Sequence, residues 1–218
     1  MPDASEHGHP GVGVHPGVGV HPGVGVRLSA QGHPGIGTGA SAYRRGGDDG
    51  SVRVVRRAAR AILIDGEGHL IVFRRTPPGV APYWSTVGGG VDAHDASVEA
   101  ALHRELAEEL GATADRVQQV FLTSTPRAGN DRDGRKPGII VQHFFVCRLV
   151  SMDLAARTGA EFTNPAKGGY DVERIDLHGE DITGFPLLPE TLKEFILANR
   201  EALLDAALNA ARNPAADP

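Results

Sequence analysis

From residue 51 onward the alternation of apolar and polar positions reads as a short series of strands and helices. AARAILID (58–65) and HLIVFRR (69–75) are rich in aliphatic and β-branched residues and flank Asp65-Gly66-Glu67-Gly68, the pattern of a strand, a turn and a strand. Pro77, Pro78 and Pro82 mark a loop before a third short strand, YWSTV (83–87), which Gly88-Gly89-Gly90 breaks. A helix is predicted from about 96 to 110. Leu102, Leu106 and Leu110 make its apolar stripe, Asp95 or Ser97 its N-cap, and Gly111 the residue past its end. Further strands are predicted at 117–123, 139–150 and 170–177, with a long basic loop at 124–138 that contains Arg127, Arg132, Arg135 and Lys136. A last helix is expected to begin with Pro189 as its first helical residue, with Leu192, Phe195, Ile196 and Leu203 at helical spacing. The order β-β-β-α-β-β-β-α predicts an α/β fold, a mixed β-sheet covered by helices.

Residues 1–50 follow a different rule. They hold 14 of the chain's 29 glycines, and HPGVGV repeats in tandem from His9, His15 and His21, with a degenerate copy, HPGIGT, from His33. The pattern resembles elastin-like sequence. Pro-Gly pairs and dense glycine oppose a fixed backbone, and few large side chains are present to offset the ordering entropy. A disordered tail is expected over 1–50, a folded domain over 51–212 and a flexible C-terminus over 213–218. The spaced histidines are chemically able to bind a transition metal, but a repeat expansion without a site is the preferred reading.

The formal net charge of −5 gives no electrostatic reason to expect nucleic acid or an anionic membrane as a partner. One cysteine, Cys147, precludes an intrachain disulfide. No apolar run approaches the roughly 18 residues of a membrane span, and no secretory h-region follows the start. A soluble cytoplasmic protein is the expectation. Cys147 lies in an apolar strand pattern beside Phe144, Phe145 and Val146 and reads as structural, as does His143; Trp84 reads as packing the strand beside the glycines.

RELAEEL (104–110) poses the sharper question. Helix C-termini favour cations, and Glu105 and Glu109 are like charges four apart, yet three acids sit there. At 100° per residue Glu105, Glu108 and Glu109 share roughly a 100° arc beside the leucine stripe. A solvated acidic face would look the same. So would a cluster of hard oxygen donors for Mg²⁺ or Mn²⁺ at the rim of a cleft.

The neighbouring residues favour the cluster. GGGVDAHDASVEAALHRELAEELGA (88–112) resembles the signature of the Nudix hydrolases: Gly, five residues, Glu, seven residues, then Arg-Glu-aliphatic-any-Glu-Glu-any-Gly-aliphatic. Arg104, Glu105, Leu106, Glu108, Glu109 and Gly111 match in order and spacing, and Gly90 falls on the first glycine. Trp84-Ser85-Thr86-Val87-Gly88-Gly89 resembles the family's approach to the motif, with Val87 where proline is usual. The first signature glutamate is replaced by Ala96 or, counted from Gly88-Gly89, by Asp95. That position lies at the helix start, so the departure bears on capping or a local ion pair more than on the carboxylate cluster. Ala112 stands for a bulkier aliphatic residue.

The resemblance implies a Nudix-type α/β/α sandwich. It also implies divalent-metal hydrolysis of the pyrophosphate in a nucleoside diphosphate linked to another group: a nucleoside triphosphate, a nucleotide sugar or a dinucleotide. By the same resemblance Glu105, Glu108 and Glu109 are metal ligands, a carbonyl of Gly89 or Gly90 adds to them, and Arg104 orients Glu105. Glu108 is the first candidate for the base; Glu161 and Glu173 are weaker ones. Arg74, Arg75 and Arg127 are candidate phosphate contacts, since guanidinium groups suit phosphate. Relatives are often dimers, so a homodimer is an expectation. The competing reading is a Nudix-fold module that binds a nucleotide without hydrolysing it.

Overall fold

Val54–Ile64, strand β1, lies at the centre of the sheet, and its alternating side chains feed two separate cores. The computed structural model describes residues 53–129, 136–159, 162 and 164–209; the expected tails, Arg132, Arg135 and Glu161 lie outside the described residues. The strands that follow are β2 (His69–Thr76), β3 (Tyr83–Thr86), β4 (Ala112–Arg127), β5 (Gly138–Met152), β6 (Gly169–Asp176) and β7 (Leu187–Leu188). The helices are α1 (Val98–Leu110), α2 (Glu190–Ala198) and α3 (Arg200–Leu204).

The sheet is mixed and runs β4-β5-β1-β2-β3-β7, with β6 on β2 as a branch. β1 pairs with β5 in parallel over most of its length but touches β2 only at Leu63 and Ile64. It therefore splays away from β2, and the glycine loop fills the opened edge. Ala59 N–H donates to Gly89 O and Ala61 N–H to Val87 O, each at 2.9 Å. One face of β1 sends Ala59, Ala61 and Leu63 into a core with Leu102, Leu106 and Leu110 of α1. The other sends Ile62 and Ile64 into a core with Leu192, Ile196 and Leu203 of α2 and α3. A helical layer on each face makes the predicted α/β/α sandwich.

The structure corrects several boundaries. The expected loop at 124–138 is shorter, because β4 continues through Ser124–Arg127 and pairs with Val141–Gly138. Pro126 is tolerated there because β4 is the edge strand, where a missing N–H breaks no inner ladder. β4 also begins at Ala112, directly after Gly111 turns the chain with φ 57°. Two-residue β7 has too few positions to show alternation. Pro189 serves as the N-cap of α2, with Glu190 the first helical residue. No helix among the described residues is long and apolar enough to cross a membrane.

Candidate active site

α1 carries the acids, and its ends are set locally. Ser97 caps the start, its hydroxyl accepting from Ala100 N–H at 3.0 Å, so the helix begins at Val98 rather than 96. Gly111 closes the end in the left-handed conformation, its N–H donating to Ala107 O. Leu102, Leu106 and Leu110 are fully buried, which fixes the rotation of the helix and turns the glutamates toward the glycine loop. Its last turn contains no base, so cations must come from elsewhere.

Two arginines supply them. Arg104 Nη1 donates to Glu105 Oε1 at 2.9 Å and to Glu108 Oε2 at 3.1 Å. Its Nη2 donates to Gly90 O at 2.8 Å and its Nε to Asp95 Oδ1 at 3.0 Å, so one guanidinium ties the loop to the helix. The Arg104 contact holds Asp95 well below the usual carboxylate range, at about 2. Burial pushes the Glu105 carboxyl upward, against the pull of Arg104.

The second arginine, Arg60 on β1, is not in the signature. Its Nη1 donates to the carbonyls of Gly88 and Thr86. Gly88 N–H in turn donates to Glu109 Oε2 at 2.6 Å, so a single residue, Gly88, links Arg60 to Glu109. Desolvation lowers the pKa of Arg60, while Glu109 and then Glu105 act against it. Sequence reading missed this residue, because an arginine inside a hydrophobic strand carries no motif.

The glycines let the loop meet the helix. Gly88 adopts φ 123°, and a Cβ there would strike the Ala59 carbonyl. Gly89 lies against Glu105: a Cβ would stand 2.5 Å from its Oε1. Gly89 O faces β1, where it accepts from Ala59 N–H.

Beside this cluster, where β1 and β5 part from β3, opens a cleft of about 540 Å³ lined by Arg60, Arg75, Tyr83, Thr86, Gln142 and Glu190 among others. Of the three arginines singled out in the sequence, Arg75 lines it, stacked 3.4 Å over Tyr170. Arg74 pairs instead with Asp171 and Glu173 and lies over Trp84. Arg127 ends β4 and reaches Lys136 O at 3.4 Å. Glu173 accepts from Trp84 Nε1 at 2.6 Å, and Trp84 packs edge-on against Phe185. Cys147 is buried, which pushes its thiol up to about 12 and leaves it inert.

Two tight acidic knots occur among the described residues, Asp65/Glu67/His69 and Asp92/His94/Asp95. Asp65 accepts from the backbone N–H groups of Glu67 and His69 and so builds the β1–β2 turn, while Asp95 is held by Arg104. Glu105, Glu108 and Glu109 are spread more widely, two turned to Arg104 and one to Gly88.

A model of the NUDIX domain matches residues 54–179, more than half of the chain. Similar solved structures include the E. coli ORF135 protein, at 25% identity over 72% of this chain and 97% of that one, TM-score 0.46. A NUDIX hydrolase from Nitrosomonas europaea matches at 14% identity, 67% and 88% coverage and TM-score 0.49. The NUDIX domain of Shewanella oneidensis NrtR, solved with ADP ribose, matches at 21% identity, 72% and 93% coverage and TM-score 0.49.

Proposed function

Because the chain belongs to the NUDIX domain family, we propose that it is a divalent-metal-dependent hydrolase that cleaves the pyrophosphate linkage of a nucleoside diphosphate joined to another moiety. The observation that carries this reading is the presentation of Glu105, Glu108 and Glu109 by one helix against a glycine loop, at the side of a cleft lined with arginine.

The residues fit a hard cation. The donors are carboxylates, and the missing side chain of Gly89 lets the Glu105 carboxylate lie against the loop, where a Cβ would clash with it. Glu105, Glu108 and Glu109 would hold Mg²⁺ or Mn²⁺, and the Gly89 carbonyl, one lone pair of which accepts from Ala59 N–H, would offer its other lone pair as a further ligand. When bound, such an ion supplies positive charge for the oxygens of the phosphoanhydride and acidifies water.

The chain's own groups do the rest. Glu108 has the most exposed side chain of the three, at 43%, against 12% for Glu105, and is the group best placed to accept a proton from the attacking water. Arg104 holds Glu105 in orientation, and Arg75 faces the substrate's phosphates from the cleft. Excluding Asp95 from the donor set follows from its two-point bond to Arg104.

The test is incubation with nucleoside triphosphates, nucleotide sugars and dinucleotides, with Mg²⁺ or Mn²⁺ and with chelator, followed by product separation. Metal-dependent turnover that falls roughly 10²- to 10⁴-fold in Glu108→Gln is expected. Tight binding of one nucleotide with no turnover of any would replace this reading with a binding module.

A further inference from the structure

Arg60 is the charged group that the family signature does not explain. It sits on the central strand opposite Phe144, faces the cleft, and donates to Gly88 O and Thr86 O. The loop does not depend on these bonds for its place. Backbone bonds from Ala59 to Gly89, from Ala61 to Val87 and from Val91 to Arg57 already fasten it to β1. What Arg60 adds is charge. Glu109 and Glu105 attract its guanidinium, while Arg56 and Arg75 repel it. Two guanidinium groups, those of Arg60 and Arg75, line the cleft, and that of Arg56 lies beside Gly90 of the loop. A buried guanidinium with a second one across the cleft is relieved by an anion, and guanidinium matches the geometry of a phosphoryl group.

We propose that Arg60 binds a phosphoryl group of the nucleoside-diphosphate substrate in the cleft and at the same time opposes cation binding at Glu105 and Glu109, so that its removal moves phosphate and metal affinity in opposite directions. The proposal rests on the hydrolase reading for the identity of the anion. A merely structural arginine behaves otherwise: its loss would loosen the glycine loop and weaken both ligands together.

The test uses the full chain and two probes. Mn²⁺ binding without nucleotide is read by electron paramagnetic resonance of the free ion, and binding of inorganic pyrophosphate by calorimetry in chelator. Arg60→Gln keeps a hydrogen-bond donor for Gly88 O and removes the charge; Arg60→Lys restores the charge. In Arg60→Gln, Mn²⁺ affinity should rise roughly three- to ten-fold, as expected for one unit charge near a partly screened site. Pyrophosphate affinity should fall about ten-fold or more, as for a lost charge-assisted contact. Arg60→Lys should return Mn²⁺ affinity toward wild type and recover part of the pyrophosphate affinity. A fall in Mn²⁺ affinity in Arg60→Gln overturns the proposal, as does unchanged pyrophosphate affinity or a wild type that does not bind pyrophosphate. Neither readout requires turnover. A protein that binds both probes but hydrolyses no nucleotide would therefore remove the hydrolase reading while still deciding the role of Arg60.

Discussion

Arg104 grips Asp95 through two parallel hydrogen bonds, Nε to Oδ1 and Nη2 to Oδ2, both 3.0 Å long. The family signature places a glutamate at the helix start; here the shorter acid, just before the Ser97 cap, makes the ion pair. Its partner also reaches Glu105, Glu108 and the Gly90 carbonyl, so Asp95 anchors the residue that arranges the cluster.

That pair predicts an acid-side dependence of stability. Asp95 has its pKa lowered from 3.8 to about 2 by the Arg104 contact. A carboxylate depressed in the folded state stabilises it above the unfolded pKa, and that contribution is lost as pH falls through the folded value. Wild type should therefore lose stability more steeply than Asp95→Asn between pH 3.8 and about 2. Denaturant titrations at stepped pH would show it; parallel curves would contradict the role given to this pair.

Glu105 carries the opposite sign. Burial raises its pKa above the ordinary 4.5, so its ionised form costs stability as pH rises through the folded value. In chelator at neutral pH, Glu105→Gln should melt higher than wild type. The gain should vanish below pH 4.5. The same variant should lose Mn²⁺ affinity, a trade of function against stability. Equal melting at neutral pH would show that Arg104 already compensates the burial.

Adjacent glycines should separate fold from activity. In Gly89→Ala the new Cβ meets only the end of the Glu105 side chain, which can move aside. Stability should change little, while turnover falls about ten-fold or more from a misplaced ligand. In Gly88→Ala the Cβ meets the backbone of Ala59 at φ 123°, and nothing nearby yields easily. That variant should lose roughly 2–4 kcal/mol of stability. Melting curves and initial rates on both proteins decide the matter.

Leu106 is fully buried between the β1 face and the neighbouring turns of α1. Leu106→Ala should cost about 2–5 kcal/mol in denaturant unfolding. A cost below 1 kcal/mol would mean that the helix is not held by its leucine stripe.

Much of this was legible in the chain because the relevant signals are local. The leucine stripe, the Ser97 cap and Gly111 lie within one helix, so period and capping chemistry locate it to within two residues. β1, β2 and β5 show as apolar runs, and β6 only as Tyr170, Val172 and Ile175 spaced among charged residues. The end of β4 did not, because Ser124–Arg127 is polar and includes Pro126; only its pairing with β5 makes it a strand. The site divides in the same way. Glu105, Glu108, Glu109 and Arg104 follow one another on a helix and could be read together. Arg60 and Gln142 become neighbours of the cleft only through the β1–β5 pairing, and Glu190 through the placement of α2.

That pairing also has a history in time. The glycine loop closes onto β1 through Ala61 and Val87, close in sequence, whereas Leu63 meets Cys147 only after all of α1 and β4 have been made. Short loops close at lower entropic cost, and long-range parallel pairing is slow. On an emerging chain the acidic half of the site can thus dock on its strand before the cleft has a floor. Until β5 arrives, β1 keeps an unpaired edge that is open to mispairing with other strands.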